Sequence, residues 1–229
     1  MNQVIIKPGG VIVIAAITGI MGFTAYKAMP MSRAPVVNVG NSEGSSLHSA
    51  TTSGGREASS PVALTNPSFE GIYSPLPKHN PKDKGFMSGE IAAGWVDNSE
   101  WGDISVAYSK ETMKPHSGKL CQKIMLGKCN TAQVQLVQQV NMALGKTYQA
   151  TVWVRAATEG TIVGISLRPL VAPYLSSYES KSETIGKDWK QITVTAPITK
   201  NVTTQVMVAC SQPNRTFWVD DAAVEEVKK

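Results

Sequence analysis

The sequence predicts an all-β fold, an antiparallel β-sandwich over residues 62–229, preceded by one N-terminal transmembrane helix and a flexible linker. Three features lead to this prediction: an uncharged apolar run near the N-terminus, a stretch rich in Gly, Ser and Thr after it, and short runs of alternating apolar and polar residues from there onward. Alternation with a period of two is typical of strands that bury one face. No amphipathic helix is indicated after the N-terminal run.

Residues 1–30 are predicted to anchor the chain in a membrane as a single pass. Residues 9–26 carry no charge, and Lys7 and Lys27 flank them. A helix crosses the bilayer with about 20 apolar residues, a length that this run reaches with its apolar neighbours. A cleaved signal peptide is the alternative, although small residues suited to cleavage are hard to find after the run. The short N-terminal tail and the cysteine-bearing domain favour a C-terminal domain in the periplasm or on the cell exterior.

Residues 31–61 are predicted to form a flexible linker. Gly, Ser and Thr dominate this stretch, and it contains no aromatic residue. Such a composition cannot bury enough apolar surface to offset the entropy of an ordered chain.

The folded domain follows as a series of predicted strands separated by turn residues such as Gly145 and Pro213. In the run 148–156, Tyr148 and Val152 share one face while Trp153 and Arg155 share the other. The predicted strands are 104–108, 120–126, 134–140, 148–156, 162–170, 191–195, 204–210 and 216–224.

Charge and cysteine content limit the classes of function. The net charge is +5, but the lysines are scattered rather than gathered in one patch, so a nucleic-acid partner is not expected. Three cysteines show no CxxC motif or other metal-ligand spacing. In an oxidising compartment one disulfide would be natural, with Cys129 and Cys210 as the candidate pair because both lie near strand ends. Three reduced cysteines are the alternative.

A series of short motifs runs through the domain in a fixed order. These are Asn66-Pro67-Ser68-Phe69-Glu70, Gly94-Trp95, His116-Ser117-Gly118, Gly145-Lys146-Thr147-Tyr148, Trp153-Val154-Arg155, Asp188-Trp189-Lys190 and Phe217-Trp218-Val219-Asp220-Asp221. Together they resemble the carbohydrate-binding modules of the CenC type over residues 66–227. The resemblance implies a galactose-binding-domain-like jelly roll.

The resemblance also implies two kinds of site. Glu70 and Asp220 match positions where such modules hold a structural calcium ion between the first and last strands, although the two carboxylates could equally cap turns or pair with lysines. Sugar binding in such modules uses aromatic faces and polar side chains. The candidates are Trp101, Tyr108, Trp153, Arg155, Arg168, Tyr174 and Tyr178, and a role in the core or against another protein is the alternative for each. Trp153, Arg155 and Arg168 fall on predicted strands that could line one concave face. A long polar insertion, residues 72–89, could cover a groove.

The sequence gives no sign of an enzyme. The three histidines, His48, His79 and His116, lie near no recognisable nucleophile. The adjacent carboxylates Asp220 and Asp221 would point to opposite faces of a strand, so they do not form a general acid/base pair. Apart from the calcium ion, no cofactor is expected.

Two functional hypotheses are consistent with the sequence. The favoured hypothesis is a non-catalytic accessory subunit of a larger membrane complex, with residues 9–26 in the lipid bilayer and the sandwich against other membrane-protein subunits. The alternative is a glycan-binding protein that tethers the cell envelope to a polysaccharide. A fold alone does not decide between them.

Overall fold

Thirteen strands and no helix make up residues 60–228, the part of the chain that the computed structural model describes. In chain order they are β1 (Ser60–Pro61), β2 (Tyr73–Pro75), β3 (Phe86–Ala92), β4 (Val96–Asp97), β5 (Ile104–Glu111), β6 (Cys121–Cys129), β7 (Val134–Val140), β8 (Thr147–Ala156), β9 (Thr161–Pro169), β10 (Glu179–Ile185), β11 (Lys190–Pro197), β12 (Thr204–Cys210) and β13 (Arg215–Val227).

The predicted anchor (residues 1–30) and all but the last two residues of the predicted linker (31–61) lie outside the described residues. Those last two, Ser60 and Pro61, form β1 and pair with the end of β13, so the ordered domain begins slightly before residue 62. Between residues 60 and 228 the structure holds no helical span with the length and apolar character that a membrane crossing requires.

The strands form two sheets that pack against each other. The large sheet has eight strands in the order β11-β8-β13-β6-β5-β3-β2, with β1 beside β13, and the small sheet has five in the order β10-β9-β12-β7-β4. Among the described strands every pairing is antiparallel except that of β3 with β5. The all-β sandwich predicted from the alternating runs is therefore confirmed, with one parallel pair added.

The core lies between the sheets and is built from alternate residues of the strands. Along β8, Tyr148, Ala150, Val152 and Val154 are buried. Across from them in the small sheet, Val163, Ile165 and Leu167 of β9 are buried in the same cluster. Burial of apolar surface at about 25 cal/mol per Å² is the main force that holds the two sheets together.

The structure contains strands that the sequence did not reveal. The polar strand β10 carries only one buried residue, Ile185, so its sequence lacks the alternation that identified the others. The insertion at residues 72–89 holds β2 and the first part of β3, which extend one edge of the large sheet rather than cover a groove on the small one.

The predicted disulfide between Cys129 and Cys210 is not formed in this structure, where Cys121, Cys129 and Cys210 are all free. Cys129 lies at the end of β6 in the large sheet, and its thiol donates a hydrogen bond to the carbonyl oxygen of Ala132 at 3.0 Å. Cys210 ends β12 in the small sheet and is buried in the core. Cys129 and Cys210 are therefore free thiols at the ends of strands in different sheets.

The alternation on β9 gives a matched test of this core. We expect Ile165→Ala to lower the free energy of unfolding by roughly 2–5 kcal/mol, because Ile165 is buried between the sheets. Ile162→Ala is the control: it makes the same change on the same strand at an exposed position, and it should cost less than about 1 kcal/mol. Urea unfolding of both variants measures the difference. Equal costs would contradict the assignment of the inward face.

Candidate functional site

The candidate sugar-binding residues divide between two opposite surfaces of the sandwich. Trp153 and Arg155 alternate with the buried residues of β8, so they lie on the outer face of the large sheet. Arg168 alternates with the buried residues of β9, so it lies on the outer face of the small sheet. The expectation that these residues could line one face is therefore wrong, because β8 and β9 belong to different sheets.

Tyr108, another candidate, lies in the core rather than on a binding surface. Its side chain is 1% exposed, and its hydroxyl donates a hydrogen bond to the Asp97 carboxylate. Ser99 also donates to Asp97, through its backbone N–H and its hydroxyl, both at 2.8 Å. Tyr178 packs against the core as well, with its hydroxyl donating to the carbonyl oxygen of Lys200 at 3.2 Å. Neither ring is an open platform for a sugar.

The outer face of the small sheet carries a group of polar side chains that are buried although they point away from the core. We call Gln135, Ser166, Arg168 and Gln205 the polar face. They come from the adjacent strands β7, β9 and β12, and Gln205 stands directly opposite Arg168 in the strand pairing. Each is less than a tenth exposed. Outward-facing strand residues are ordinarily solvated, so a buried polar set on this side needs an explanation.

Several atoms of the polar face have no hydrogen-bond partner among the described residues: Ser166 Oγ, Arg168 Nε and Gln205 Oε1. The guanidinium of Arg168 makes one short hydrogen bond, from Nη2 to the carbonyl oxygen of Tyr174 at 2.8 Å. Its Nη1 reaches Gln135 Oε1 only at 3.4 Å. A buried polar atom without a partner costs about 1–3 kcal/mol, and such atoms often mark a place that a ligand or ordered water completes.

Two exposed aromatic rings stand beside the polar face. Trp101 is 42% exposed, and its indole N–H donates to the carbonyl oxygen of Asn98 at 2.9 Å. Asn98 in turn donates through Nδ2 to Gln135 Oε1 at 2.8 Å. Tyr174, 37% exposed, contacts Arg168 through its own carbonyl oxygen. Hydrogen bonds thus link the Trp101 ring to Gln135 through Asn98, and the main chain of Tyr174 to Arg168.

Hydrogen bonds to β7 fix the turn that carries Trp101. The backbone N–H of Gln135 donates to Ser99 Oγ at 2.8 Å, and the backbone N–H of Asn98 donates to the carbonyl oxygen of Gln135 at 2.9 Å. Ser99 is fully buried and is held by Asp97. Burial raises the pKa of Asp97, and hydrogen bonds from Tyr108 and Ser99 partly oppose that rise. The core residue Tyr108 therefore supports the surface turn indirectly.

The outer face of the large sheet carries a different cluster, held by ring stacking and cation–π contacts. The ring of Trp153 stacks on His116 with centroids 3.9 Å apart. The guanidinium of Arg155 lies 3.9 Å from the Trp218 ring and 5.2 Å from the Trp189 ring. Such contacts are worth roughly 0.5–2 kcal/mol each and stabilise the surface. They also occupy the ring faces that a sugar would need.

Glu70 and Asp220, the predicted calcium ligands, converge on the turn that follows β5. Glu70 Oε1 accepts hydrogen bonds from the backbone N–H groups of Lys119 and Leu120 at 2.6 and 2.8 Å. Asp220 Oδ2 accepts from the backbone of His116 at 2.9 Å. The Glu70 carboxylate fills the space that a side chain on Gly118 would occupy, 2.2 Å from an added Cβ.

The chemistry of this pair fits a hard cation. Asp220 is fully buried, and burial together with the charge of neighbouring Asp221 raises the pKa of Asp220 to about 6. A divalent ion would favour the charged form of both carboxylates. The described residues contain no group of three or more His, Cys, Asp and Glu side chains at such a site, so main-chain oxygens would complete the shell.

Comparison with solved structures shows which known fold the domain shares. No family model matches the chain, and no curated protein matches it. A solved CBM4 carbohydrate-binding module superposes with a TM-score of 0.53 and 16% identity, over 72% of this chain and 99% of that chain. The CBM22-1 xylan-binding domain from Paenibacillus barcinonensis Xyn10C gives a TM-score of 0.51 and 10% identity, over 75% and 99%.

The domain therefore has the jelly-roll sandwich of carbohydrate-binding modules, as the order of sequence motifs predicted. Identities this low define the fold and leave the ligand to be argued from the site. Of the predicted sugar-binding residues, Arg168 contacts the main chain of Tyr174 directly and is linked to Trp101 through Gln135 and Asn98. The sequence analysis did not identify Gln135, Ser166 and Gln205, which complete the polar face.

The support that Tyr108 gives to Asp97 should depend on pH. Tyr108→Phe removes a hydrogen bond to a buried carboxylate, so we expect a loss of roughly 1–3 kcal/mol in the free energy of unfolding at pH 7. Because this hydrogen bond opposes the rise in the pKa of Asp97, its removal raises that pKa further.

A group whose pKa is raised on folding contributes stability that is lost as the pH rises through the folded pKa. The cost of Tyr108→Phe should therefore be smallest at acid pH, where Asp97 is protonated in both proteins, and should grow as the pH rises through the folded pKa of Asp97, which lies above its ordinary value. Urea unfolding of both proteins across this range provides the measurement. A cost that did not change with pH would contradict the contact with charged Asp97.

Proposed function

We propose that the sandwich is a non-catalytic glycan-binding module that takes a saccharide on the polar face of the small sheet. The observation that carries this proposal is the combination of unpartnered buried atoms, on Ser166, Arg168 and Gln205, with two exposed aromatic residues linked to the same face. Trp101 is linked through Asn98 and Gln135, and Tyr174 through its own carbonyl oxygen. The outer face of the large sheet also has unpartnered buried atoms, Arg155 Nε and Trp218 Nε1, but its rings are stacked on His116 or Arg155. Binding sites characteristically combine open aromatic surface with convergent polar groups.

The chemistry of a sugar ring matches this combination. Its C–H faces pack on aromatic rings such as those of Trp101 and Tyr174, and its hydroxyl groups both donate and accept hydrogen bonds. A hydroxyl could donate to Gln205 Oε1, which lacks a donor, and accept from Arg168 Nε, which lacks an acceptor. The free energy cost of burying these atoms is already present in the folded protein. A ligand that forms hydrogen bonds with them therefore gains affinity.

The other outer face is the weaker candidate for a glycan. Trp153 lines a shallow groove of about 400 Å³ together with polar residues that include Thr151 and Thr193. However, His116 covers one side of the Trp153 ring, and Arg155 is held between Trp189 and Trp218. Stacked rings of this kind stabilise the sheet and offer less open surface to a pyranose.

Membrane attachment is a second part of the proposal and rests on the uncharged run at residues 9–26. Attachment with the C-terminal domain in the periplasm or on the cell exterior would let the module hold a polysaccharide close to the envelope. An accessory-subunit role, which the sequence reasoning favoured, ranks second. Its support is the anchor sequence alone, whereas the glycan proposal has a surface of matching chemistry.

A calcium ion held by Glu70, Asp220 and main-chain oxygens is the third part. The ion would act as a structural link between the segment before β2 and the last strand, because the two carboxylates meet at the turn around Gly118. It would take no part in sugar binding, since this turn belongs to the large-sheet side of the domain.

The proposed binding site is tested with the full chain in mild detergent and a panel of soluble neutral and acidic polysaccharides, by affinity gel electrophoresis. Retention by at least one polysaccharide supports the proposal. If every polysaccharide in the panel fails to retard the protein, the glycan function is wrong, and identification of chains that co-purify with it becomes the test of the subunit role.

The choice of face is tested by two tryptophan variants. Trp101→Ala should weaken binding of the retained polysaccharide roughly tenfold or more, because it removes an aromatic surface beside the polar face. Trp153→Ala removes the same side chain on the opposite outer face and should leave the affinity unchanged. Isothermal titration calorimetry gives both affinities. The reverse result would move the site to the large sheet.

The calcium proposal predicts a metal-dependent stability. Addition of calcium to the chelator-treated protein should raise the melting temperature, since an ion that binds only the folded state stabilises it by mass action. Asp220→Asn should abolish this rise, while Asp103→Asn, a change at an exposed carboxylate paired with Lys128, should retain it. An identical melting temperature with and without calcium in the unmodified chain would rule out the site.

A further inference from the structure

Arg168 is the one member of the polar face that carries a full charge, and its surroundings leave that charge unbalanced. The side chain is 7% exposed. Burial lowers the pKa of Arg168, and no acidic side chain contributes to the shift. Among the described residues, no carboxylate lies within ion-pair distance of its guanidinium. Its acceptors are the carbonyl oxygen of Tyr174, the amide oxygen of Gln135 and the sulfur of Met207.

The acidic residues of the neighbouring strand β10 and of the turn that carries Trp101 are engaged elsewhere. Glu183, on the neighbouring strand β10, pairs with Lys181 and Lys190. Glu179 at the start of β10 accepts a hydrogen bond from the backbone of Ser180. Asp97, in the turn that supports Trp101, is bound by Tyr108 and Ser99.

A buried guanidinium without a counterion is costly in the free protein. Removing an ion from water costs several kcal/mol in a protein interior, and a nearby opposite charge normally offsets that cost. Arginine presents five N–H donors in a planar fork that matches a carboxylate in two-point contact. In Arg168 only the bond to Tyr174 is short, and Nε has no partner at all among the described residues. The guanidinium is therefore buried without the paired carboxylate acceptor that an anionic ligand would supply.

On the basis of the proposed glycan site, we propose that its ligand is an acidic polysaccharide, in which the carboxylate of a uronic acid residue pairs with Arg168. A uronic acid carries hydroxyl groups on the same ring as its carboxylate. One of them can donate to Gln205 Oε1, which lies directly opposite Arg168 in the strand pairing. A neutral sugar would supply the hydrogen bonds but leave the buried charge without a counterion.

The test compares acidic polysaccharides with their own carboxyl-reduced forms, using the full chain in mild detergent. Polygalacturonate, glucuronoxylan and alginate are each converted to the neutral counterpart, so that each pair differs only in the carboxylate. At least one acidic member should bind tenfold or more tightly than its reduced form in isothermal titration calorimetry. Its affinity should also fall as salt is raised from 50 to 500 mM, because the contact includes an ion pair.

Variants assign the charge preference to one residue. Arg168→Gln should bring the affinity for the acidic form down to that for the reduced form. Arg155→Gln, the same change on the opposite outer face, should retain the preference. The melting temperature of Arg168→Gln without ligand should equal or exceed that of the unmodified chain, because the variant loses an uncompensated buried charge. A residue whose role is purely structural would show the opposite change in melting temperature.

The outcomes separate this inference from the proposed function. Equal or tighter binding of the reduced polysaccharides, still weakened by Trp101→Ala, would overturn the acidic ligand and keep the glycan site. A preference for the acidic form that persists in Arg168→Gln would overturn the role of Arg168. Failure of every polysaccharide, acidic and reduced, would overturn both proposals. Because the matched pairs are measured on the unmodified chain, the inference is tested even if a variant fails to fold.

Discussion

The rest of the domain depends on the pairing of β13, the last strand. It lies in the middle of the large sheet, where it pairs with β8 along most of its length, with β6 at its start and with β1 at its end. Its register shifts between Asp220 and Ala223, and this irregularity brings the Asp220 carboxylate to the turn at His116. The backbone N–H of Ala222 donates to the carbonyl oxygen of Pro67, so the same strand fixes the beginning of the domain. Because β13 pairs with strands from both ends of the domain, the large sheet closes only when nearly all of residues 60–228 are present.

A domain held together in this way can tolerate buried polar atoms that lack hydrogen-bond partners on the outer face of a sheet. The buried polar groups of Ser166, Arg168 and Gln205 lower the stability of the free protein, and the tightly packed core between the sheets offsets that cost. Strain and unpaired polar groups persist only where the surrounding structure determines them fully, which is the usual situation at a binding site. The polar face lies on three adjacent strands rather than on loops, so its geometry is set by the sheet itself.

The strands could be predicted from the sequence, whereas the composition of the site could be predicted only in part. Alternation identified β8, β9 and β12, and the outward position of Gln205 followed from the same alternation, since Val206 and Val208 fill the inward positions. What alternation cannot give is the sheet to which each strand belongs. For that reason Trp153 and Arg168 seemed able to share a surface, although they lie on opposite ones. The strand β10 was missed because its residues are almost all polar, and its place at the edge of the small sheet relieves it of the need to bury a face.

The contrast between the two outer faces shows that the role of a buried arginine depends on which groups compensate its charge. Arg155 and Arg168 both alternate with core residues, and each is the last residue but one of its strand. The charge of Arg155 is placed against the π-faces of Trp189 and Trp218, and its Nη2 donates to Met113 at 2.8 Å, so the ring faces partly compensate the charge. Arg168 has no ring beneath it and no carboxylate beside it within the described residues. Both guanidinium groups leave Nε without a hydrogen-bond partner among the described residues, so the two arginines differ in how their charge is compensated. The rings beside Arg155 compensate its charge in part, whereas the charge of Arg168 can be balanced by an anion from outside the domain. The same residue type, at equivalent positions of the alternation, therefore stabilises the sheet on one face and is available for recognition on the other.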